Sequence, residues 1–204
     1  MVKKFLIGLW AFLAAVILGV TLLFVSIANG WIGYLPDMDE LENPNYKFAS
    51  QVLSADGKEM GTWSYSKENR VFVDYNEISP HLVKALIATE DVRFYNHSGI
   101  DFKSLGRVIF KTLLGGDSSQ GGGSTITQQL AKLLYSEVSG SELERLYQKP
   151  IEWVIAVKLE RQYTKEEIVT LYLNKYDFGY NAVGIKSAAN VYFGKLPSEL
   201  NVEE

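Results

Sequence analysis

The hydrophobic and polar pattern of the chain begins with a run that contains no charged residue. This run covers residues 5–28, a length of 24 residues, which spans about 36 Å as a helix and exceeds the roughly 30 Å of a bilayer core. Lys3 and Lys4 precede it, and no basic residue follows until Lys47. The positive-inside rule therefore predicts a cytoplasmic tail at 1–4 and a transmembrane anchor at 5–28, with the rest outside. A cleaved signal peptide is the alternative, although its apolar core usually has only about 7–15 residues.

The next segments predict a linker followed by a small β-structure. Residues 29–47 contain two prolines and four acidic residues, which favours a juxtamembrane linker. Alternating residues at 48–53 and 60–65 flank Asp56-Gly57, and this dipeptide is typical of a tight hairpin turn. The alternation at 70–75 favours one further strand.

From Ser79-Pro80 onward the apolar residues recur at helical spacing. The pattern predicts helices at 81–90, 102–114, 124–135, 143–163, 165–174 and 182–192. The glycine-rich run 115–123 interrupts them, and we expect a mobile loop there. Residues 197–200 resemble the first turn of another helix, so we expect the chain to be the N-terminal part of a longer protein. The fold class predicted is mainly α with a small N-terminal β-hairpin, preceded by a single transmembrane helix.

Composition excludes several functional classes. The chain has 20 basic and 24 acidic residues, whereas domains that bind duplex nucleic acid usually carry a basic face. It has no cysteine, and its two histidines, His81 and His97, are too few for most zinc sites. We therefore predict no nucleic-acid partner and no metal-ligating cluster.

Two adjacent acids end the helix predicted at 81–90. Glu90 and Asp91 lie where the helix dipole disfavours negative charge, a placement that suits a general base or acid. The alternative is a pair of solvated helix-end acids. Phe94, His97 and the residues that follow complete the pattern Glu-Asp-x-x-Phe-x-x-His-x-Gly-x-Asp at 90–101.

A second candidate site follows the glycine run. Ser124 is predicted to cap the helix that begins there. One side of this helix is polar and the other apolar; the polar residues are Thr125, Gln128, Gln129 and Lys132, and the apolar ones are Ile126, Leu130, Leu133 and Leu134. Glycine-rich backbone at a helix N-terminus, with a lysine two turns on, favours an anion site. A merely solvated polar face is the alternative.

A third candidate pair lies one helical turn apart. Lys149 and Glu152 form either an ordinary i, i+3 ion pair or a second cation and carboxylate beside the same pocket. Spacing alone leaves both interpretations open.

Together these motifs resemble the glycosyltransferase domain of the peptidoglycan polymerases, namely class A penicillin-binding proteins and monofunctional peptidoglycan glycosyltransferases. The resemblance covers roughly residues 48–200. Its five motifs occur in the family's order, at 88–101, 122–132, 148–152, 168–174 and 188–195.

The resemblance implies a lysozyme-like glycosyltransferase domain at 48–204 that polymerises lipid II, with inversion and release of undecaprenyl pyrophosphate. Glu90 matches the family's catalytic base and Glu152 its second essential glutamate, while Lys132 and Lys149 would bind the pyrophosphate. No cofactor is required by the sequence, although Mg²⁺ or Mn²⁺ could accompany the donor pyrophosphate. Other residues would position sugars or organise the cleft: Asp91, Phe94, His97, Ser124, Thr125, Gln128, Gln129 and Asn174.

The same resemblance implies a location and partners. The domain would lie outside the bacterial cytoplasmic membrane, and the apolar segment 108–114 would dip into the lipid. The partners would be lipid II, the growing glycan strand, membrane lipids and other cell-wall synthesis proteins.

Three positions depart from the family pattern. Leu133 replaces an asparagine, Gln148 an arginine and Thr170 a glutamate. The lost arginine matters most, since departure of a pyrophosphate is an electrostatic problem. Arg145, one turn before Lys149, is our predicted substitute.

Two other functions are compatible with these residues. A membrane-anchored lytic muramidase or transglycosylase would also place a glutamate in a helical cleft, but it would not need two lysines facing a lipid pyrophosphate. A non-catalytic envelope scaffold that binds lipid II is the other alternative.

Overall fold

The structure is a computed structural model that describes residues 2–33, 35–36, 50–63, 71–115, 123–135 and 142–204. The central part of the predicted linker, residues 37–47, and most of the predicted glycine-rich loop, residues 116–122, lie outside the described residues.

The first helix, α1, spans Val2–Ala28. Within the described residues it is the one helix long and apolar enough to cross a membrane. Most of its side chains are exposed, but its last turns lie against the rest of the molecule. There Ile27 is fully buried, and the Phe24 ring stacks on Trp153 with the ring centroids 6.2 Å apart. The anchor therefore packs directly against the helical domain.

The predicted hairpin is present. Strands β1 (Ser50–Leu53) and β2 (Glu59–Trp63) pair antiparallel, with Val52 opposite Gly61. Gly57 supplies the positive φ, +80°, that the connecting turn requires.

The further strand predicted at 70–75 was wrong. Residues 71–74 have no strand partner among the described residues, and Tyr75–Glu77 form a 3₁₀ turn. The cause is a side chain that takes the place of a neighbouring strand: the Asn174 amide accepts from the backbone N–H of Val73 at 2.9 Å and donates to its carbonyl at 2.8 Å.

Six helices follow, in the order that the periodicity predicted. They are α2 (Pro80–Glu90), α3 (Phe102–Gly115), α4 (Ile126–Tyr135), α5 (Glu142–Gln162), α6 (Lys165–Lys175) and α7 (Ile185–Phe193). Local chemistry explains two of the starts. Ser79 caps α2 just before a proline at the first helical position, and Thr164 forms a capping box with Glu167 ahead of α6.

The core lies among α4, α5 and α6, the three helices with the most fully buried aliphatic side chains. These residues are Ile126, Leu130, Ile155, Leu159, Ile168 and Leu173. Gly99 lets the segment before α3 approach this core, since a Cβ there would lie 2.9 Å from the backbone carbonyl carbon of Ala156, and its φ is +91°. The domain is thus mainly α, as predicted.

The C-terminal segment closes the domain against the start of α2. A 3₁₀ turn at Pro197–Glu199 follows α7. Ser79 donates from its hydroxyl to the carbonyl of Leu200 at 2.8 Å and from its backbone N–H to that of Pro197 at 3.1 Å.

Candidate active site

The exposed carboxylate of Glu90 is held from one side by an amide. Glu90 is the last residue of α2, and its Oε2 accepts from the Nε2 of Gln129 on α4 at 2.9 Å. The Oε1 of Gln129 accepts in turn from the hydroxyl of Tyr172 on α6 at 3.0 Å. Three elements therefore fix one oxygen of Glu90. No hydrogen bond to Oε1 is found among the described residues, and this oxygen is available to a substrate.

Asp91, the next residue, is buried, and both of its carboxylate oxygens have hydrogen-bond partners. It is only 7% exposed, and both carboxylate oxygens lie 3.0–3.1 Å from the Nε2 of His97. Its Oδ2 also accepts from the backbone N–H of Ile126, at the start of α4, at 3.2 Å. Asp91 thus joins the end of α2 to the start of α4, where the helix dipole favours its charge.

His97 lies beneath this junction. Its ring contacts Phe94 edge to face, at a centroid distance of 6.3 Å, and its Nδ1 is buried with no hydrogen-bond partner among the described residues. Since its Nε2 is hydrogen-bonded to Asp91, the imidazole of His97 orients the carboxylate of Asp91.

Phe94 is fully buried and carries a cation on its ring face. The Nζ of Lys165 lies 4.2 Å from the ring centroid, and it donates to the carbonyl of His97 and to Glu160 Oε1, both at 2.8 Å. Phe94 and His97 therefore pack in the structure that supports Asp91, and their predicted role in sugar positioning stays a prediction.

The start of α4 is capped one residue later than predicted. Helix α4 begins at Ile126, so the cap is Thr125 and the assignment of this role to Ser124 was wrong. The hydroxyl of Thr125 accepts from the N–H of Gln128 at 3.1 Å, and Gln128 Oε1 accepts from the N–H of Thr125 at 3.3 Å. This is a capping box, which explains why the two polar residues are buried rather than solvated.

Arg93 and Asp101 form an ion pair close to Glu90 and Asp91, and both line the same cleft as these two acids. Arg93 donates to Asp101 Oδ2 from Nε at 3.0 Å and from Nη2 at 2.7 Å, while Asp101 Oδ1 accepts from the N–H groups of Lys103 and Ser104. Burial alone would raise the pKa of Asp101, but the hydrogen bonds from Arg93 and Ser104 outweigh it and lower the pKa to about 2.

These residues enclose a cleft of about 520 Å³ beside Glu90. Its walls come from α2, α3, α4 and the segments that precede α3 and α4, and they include Glu90, Arg93, Arg107, Ser124 and Gln129. Ser124 lies in this wall, where a substrate can reach it. Arg107 adds a guanidinium to the lining of this cleft that the sequence reasoning missed.

Glu152 and Lys149 form a close pair on α5. The Nζ of Lys149 lies 2.6 Å from Oε2 of Glu152, whose side chain is 1% exposed while that of Lys149 is 55% exposed. A buried carboxylate with an exposed ammonium differs from an ordinary surface ion pair, because Glu152 fixes the cation's position.

The remaining predicted site residues lie in different surroundings. Lys132 is exposed in the last turn of α4, with no ion pair among the described residues. Asn174 is buried, and its amide is committed to the backbone of Val73 and Thr170. The side chain of Arg145 lies outside the described part of the structure, so its predicted role stays a prediction.

Two departures from the family pattern are accommodated by packing. Leu133 is partly buried against the core. Thr170 is buried in α6, where its hydroxyl donates to the carbonyl of Glu166 at 2.9 Å.

Sequence reasoning missed the residues that act across long distances in the chain. Tyr172, Lys165 and Glu160 are the main ones, and all three lie on ordinary helical positions. Tyr172 falls within the motif at 168–174, but the local pattern does not indicate these contacts. Glu160 with Thr127, Lys165 with His97 and Tyr172 with Gln129 are 33 to 68 residues apart.

The structure thus places Glu90, with one carboxylate oxygen hydrogen-bonded, at a cleft that Arg93 and Arg107 also line. This arrangement is compatible with acid-base chemistry at the cleft. Comparison with known proteins agrees: the family described as Transglycosylase matches residues 56–204. This chain belongs to that family.

The most informative relatives are penicillin-binding proteins. The chain is 41% identical over 170 residues to penicillin-binding protein 1A of Escherichia coli (strain K12), which covers 83% of this chain and 19% of that protein. It is 41% identical over 156 residues to penicillin-binding protein 1F of Bacillus subtilis (strain 168), covering 76% and 21%. It is 37% identical over 203 residues to penicillin-binding protein 1A of Aquifex aeolicus (strain VF5), covering 99% and 26%. The chain thus spans about a fifth to a quarter of the length of these relatives.

Proposed function

We propose that this domain polymerises peptidoglycan glycan chains from lipid II and releases undecaprenyl pyrophosphate, with inversion at the reacting carbon. Membership of the transglycosylase family supports the reaction class. The single observation that carries the proposal is the carboxylate of Glu90 at the cleft: Gln129 holds one of its oxygens, and the other has no hydrogen-bond partner among the described residues.

In the proposed step, Glu90 acts as general base. It takes the proton from the 4-hydroxyl of the acceptor GlcNAc while that oxygen attacks C1 of the donor MurNAc. The bond from C1 to the pyrophosphate oxygen breaks, and its electron pair leaves with undecaprenyl pyrophosphate. A single displacement of this kind inverts C1 and needs no covalent carboxylate.

The departing charge would be stabilised by two lysines. Lys132 has no competing ion pair among the described residues, and Lys149 is held by the buried Glu152. Cations placed in advance reduce the reorganisation needed as charge develops on a leaving group.

The proposal includes Mg²⁺ or Mn²⁺ bound by the pyrophosphate oxygens of the donor. Within the described residues no group of three His, Cys, Asp or Glu could hold a metal ion. The donor set of these residues therefore does not form a metal cage, and such an ion would be kept by substrate oxygens.

We propose that α1 crosses the cytoplasmic membrane with its N-terminus inside. The two lysines before its apolar run support this orientation. Phe102 and Phe110 on α3 are 72% and 66% exposed, which suits contact with the lipid tails of the substrate.

The test is polymerisation of fluorescent lipid II in non-ionic detergent, with products separated by size and digested by a muramidase. Wild-type chain, Glu90→Gln and Glu166→Gln are compared; Glu166 is an exposed glutamate on α6 and serves as the matched control. A parallel wild-type reaction contains EDTA.

The proposal expects long, muramidase-sensitive polymer from wild type and from Glu166→Gln, at least 10²-fold slower polymerisation by Glu90→Gln, and less polymer with EDTA. Cleavage of preformed peptidoglycan without polymer would show a lytic enzyme instead. Lipid II binding without turnover by the wild-type chain would show a scaffold. Full polymer in EDTA would remove the cation from the proposal.

A further inference from the structure

Glu90 is connected to the core of the domain by two polar side chains in series. The Tyr172 hydroxyl lies 3.0 Å from Gln129 Oε1, and Gln129 Nε2 lies 2.9 Å from Glu90 Oε2. Tyr172 lies on the buried helix α6 and is itself only 3% exposed. A rigid element is thus linked to an exposed carboxylate that would otherwise rotate freely.

The direction of these hydrogen bonds follows from the chemistry of the groups. An ionised carboxylate only accepts, so the amide of Gln129 must present its NH₂ group to Glu90. The amide oxygen then faces Tyr172, which has to donate. If the amide turned around, two oxygens would face each other at Glu90.

Tyr172 is suited to the donor role. Burial, and then the nearby Tyr176 and Glu90, raise the pKa of its hydroxyl well above the ordinary value for tyrosine. The hydroxyl therefore keeps its proton throughout the pH range in which enzymes work.

We propose that Tyr172 and Gln129 are positioning residues for the general base, and that they reserve Glu90 Oε1 as the oxygen that takes the substrate proton. This inference rests on the proposed function. Gln129 holds Oε2, and Tyr172 acts only through Gln129 by fixing which way its amide points. The sequence predicts that Gln129 positions sugar or organises the cleft, and positioning the base is a further role that we propose for it.

The arrangement restricts the motion of Glu90 at the moment of proton transfer. A base with one oxygen already paired offers a single acceptor oxygen in a defined direction, which favours a near-attack geometry. Loss of this restriction is expected to lower turnover and leave the affinity for substrate largely unchanged, because Tyr172 is buried and does not line the cleft.

The experiment is a double-mutant cycle on lipid II polymerisation by the full chain, with kcat and KM measured separately. The variants are Tyr172→Phe, which removes only the hydroxyl, Gln129→Met, which keeps the length of the side chain without the amide, and the double variant. Tyr176→Phe is the matched control, because its ring lies 5.3 Å from that of Tyr172 but its hydroxyl is outside the series. Melting temperature is recorded for each variant.

We expect kcat to fall roughly 3- to 10-fold in Tyr172→Phe and roughly 10- to 100-fold in Gln129→Met, with little change in KM. The double variant should match Gln129→Met alone, since within the described residues the hydrogen bonds of Tyr172 reach the base only through Gln129. Tyr176→Phe should match wild type.

Three results would overturn the proposal. The first is a full kcat in Tyr172→Phe. The second is a double variant in which the kcat losses of the two single variants multiply. The third is a loss of activity that lies in KM, or that follows the melting temperatures of the variants. In each case an active wild type and an inactive Glu90→Gln would leave the proposed function standing. An inactive wild type, or an active Glu90→Gln, would overturn the function and the positioning roles together.

Discussion

At the scale of single residues, the adjacent acids Glu90 and Asp91 have opposite surroundings. Glu90 is exposed and receives one amide donor, whereas Asp91 is buried and receives His97 and a backbone N–H. The helix ends between them, so their side chains leave the backbone in different directions. One acid is therefore available for chemistry and the other holds the site together.

Asp101 gives a prediction about pH. Its folded-state pKa, about 2, lies below the ordinary value of 3.8, so the folded protein binds fewer protons at this site than the unfolded chain. The resulting stability is fully present above about pH 4 and is lost as the pH falls through 2. We expect Asp101→Asn to cost on the order of 1–2 kcal/mol of unfolding free energy at pH 7.

Melting temperatures of wild type and Asp101→Asn, measured in detergent at pH 7, 4 and 2.5, check this expectation. The gap between the two proteins should shrink from pH 4 to pH 2.5. A gap of constant size across that range would show that the charge of Asp101 does not contribute.

Whether the role of a residue could be predicted from the sequence depended on how far apart in the chain its contacts lie. The family motifs contain Glu90, Glu152 and both lysines, and the i, i+3 pairing of Lys149 with Glu152 was visible in their spacing. The clamp of Asn174 on Val73 was not, since the two residues are 101 positions apart. The choice of Thr125 over Ser124 as cap depended on Gln128, whose position three residues later was a signal of the capping box.

At the scale of elements, the approach of the segment before α3 to α5 depends on Gly99. Its φ is +91°, and a Cβ added there would lie only 2.9 Å from the carbonyl carbon of Ala156, which leaves no space for a side chain. We expect Gly99→Ala to destabilise the fold by about 2–4 kcal/mol, or roughly 5–15 °C in melting temperature.

Gly106→Ala is the control for that substitution. Gly106 lies within α3, and outside its own helix backbone no described atom lies within 4 Å of an added Cβ, so alanine there should leave stability unchanged or raise it by up to about 1 kcal/mol. Equal melting temperatures for Gly99→Ala and wild type would contradict the close approach.

The helices could be predicted because their apolar residues recur over many positions, and local caps mark starts such as those of α2 and α6. The strand predicted at 70–75 shows where this reasoning ends. Alternation at 71–74 was present in the sequence, but the polar groups of Val73 pair with a side chain from α6 rather than with a strand. A strand needs a partner, and the local pattern does not contain one.

At the scale of the whole molecule, the anchor and the helical domain share an interface. Phe24 stacks on Trp153, the neighbour of Glu152, and Ile27 is buried nearby. The interface therefore places the end of α1 against α5, the helix that carries Glu152.

We expect Phe24→Ala to lower the melting temperature by about 2–4 °C, since an aromatic pair contributes on the order of 1 kcal/mol. Phe12→Ala is the matched control, because Phe12 belongs to the same helix and is 69% exposed. If the two variants melt together, the stacking does not stabilise the domain.

The central claim is that Glu90 acts as the base of a glycosyl transfer, and the most direct test separates chemistry from binding in Glu90→Gln. The measurement is kcat and KM for lipid II polymerisation by Glu90→Gln and by wild type. We predict a kcat roughly 10²- to 10⁴-fold lower, the usual contribution of a general base, with KM close to that of wild type. A kcat near the wild-type value, or a loss confined to KM, would contradict the account.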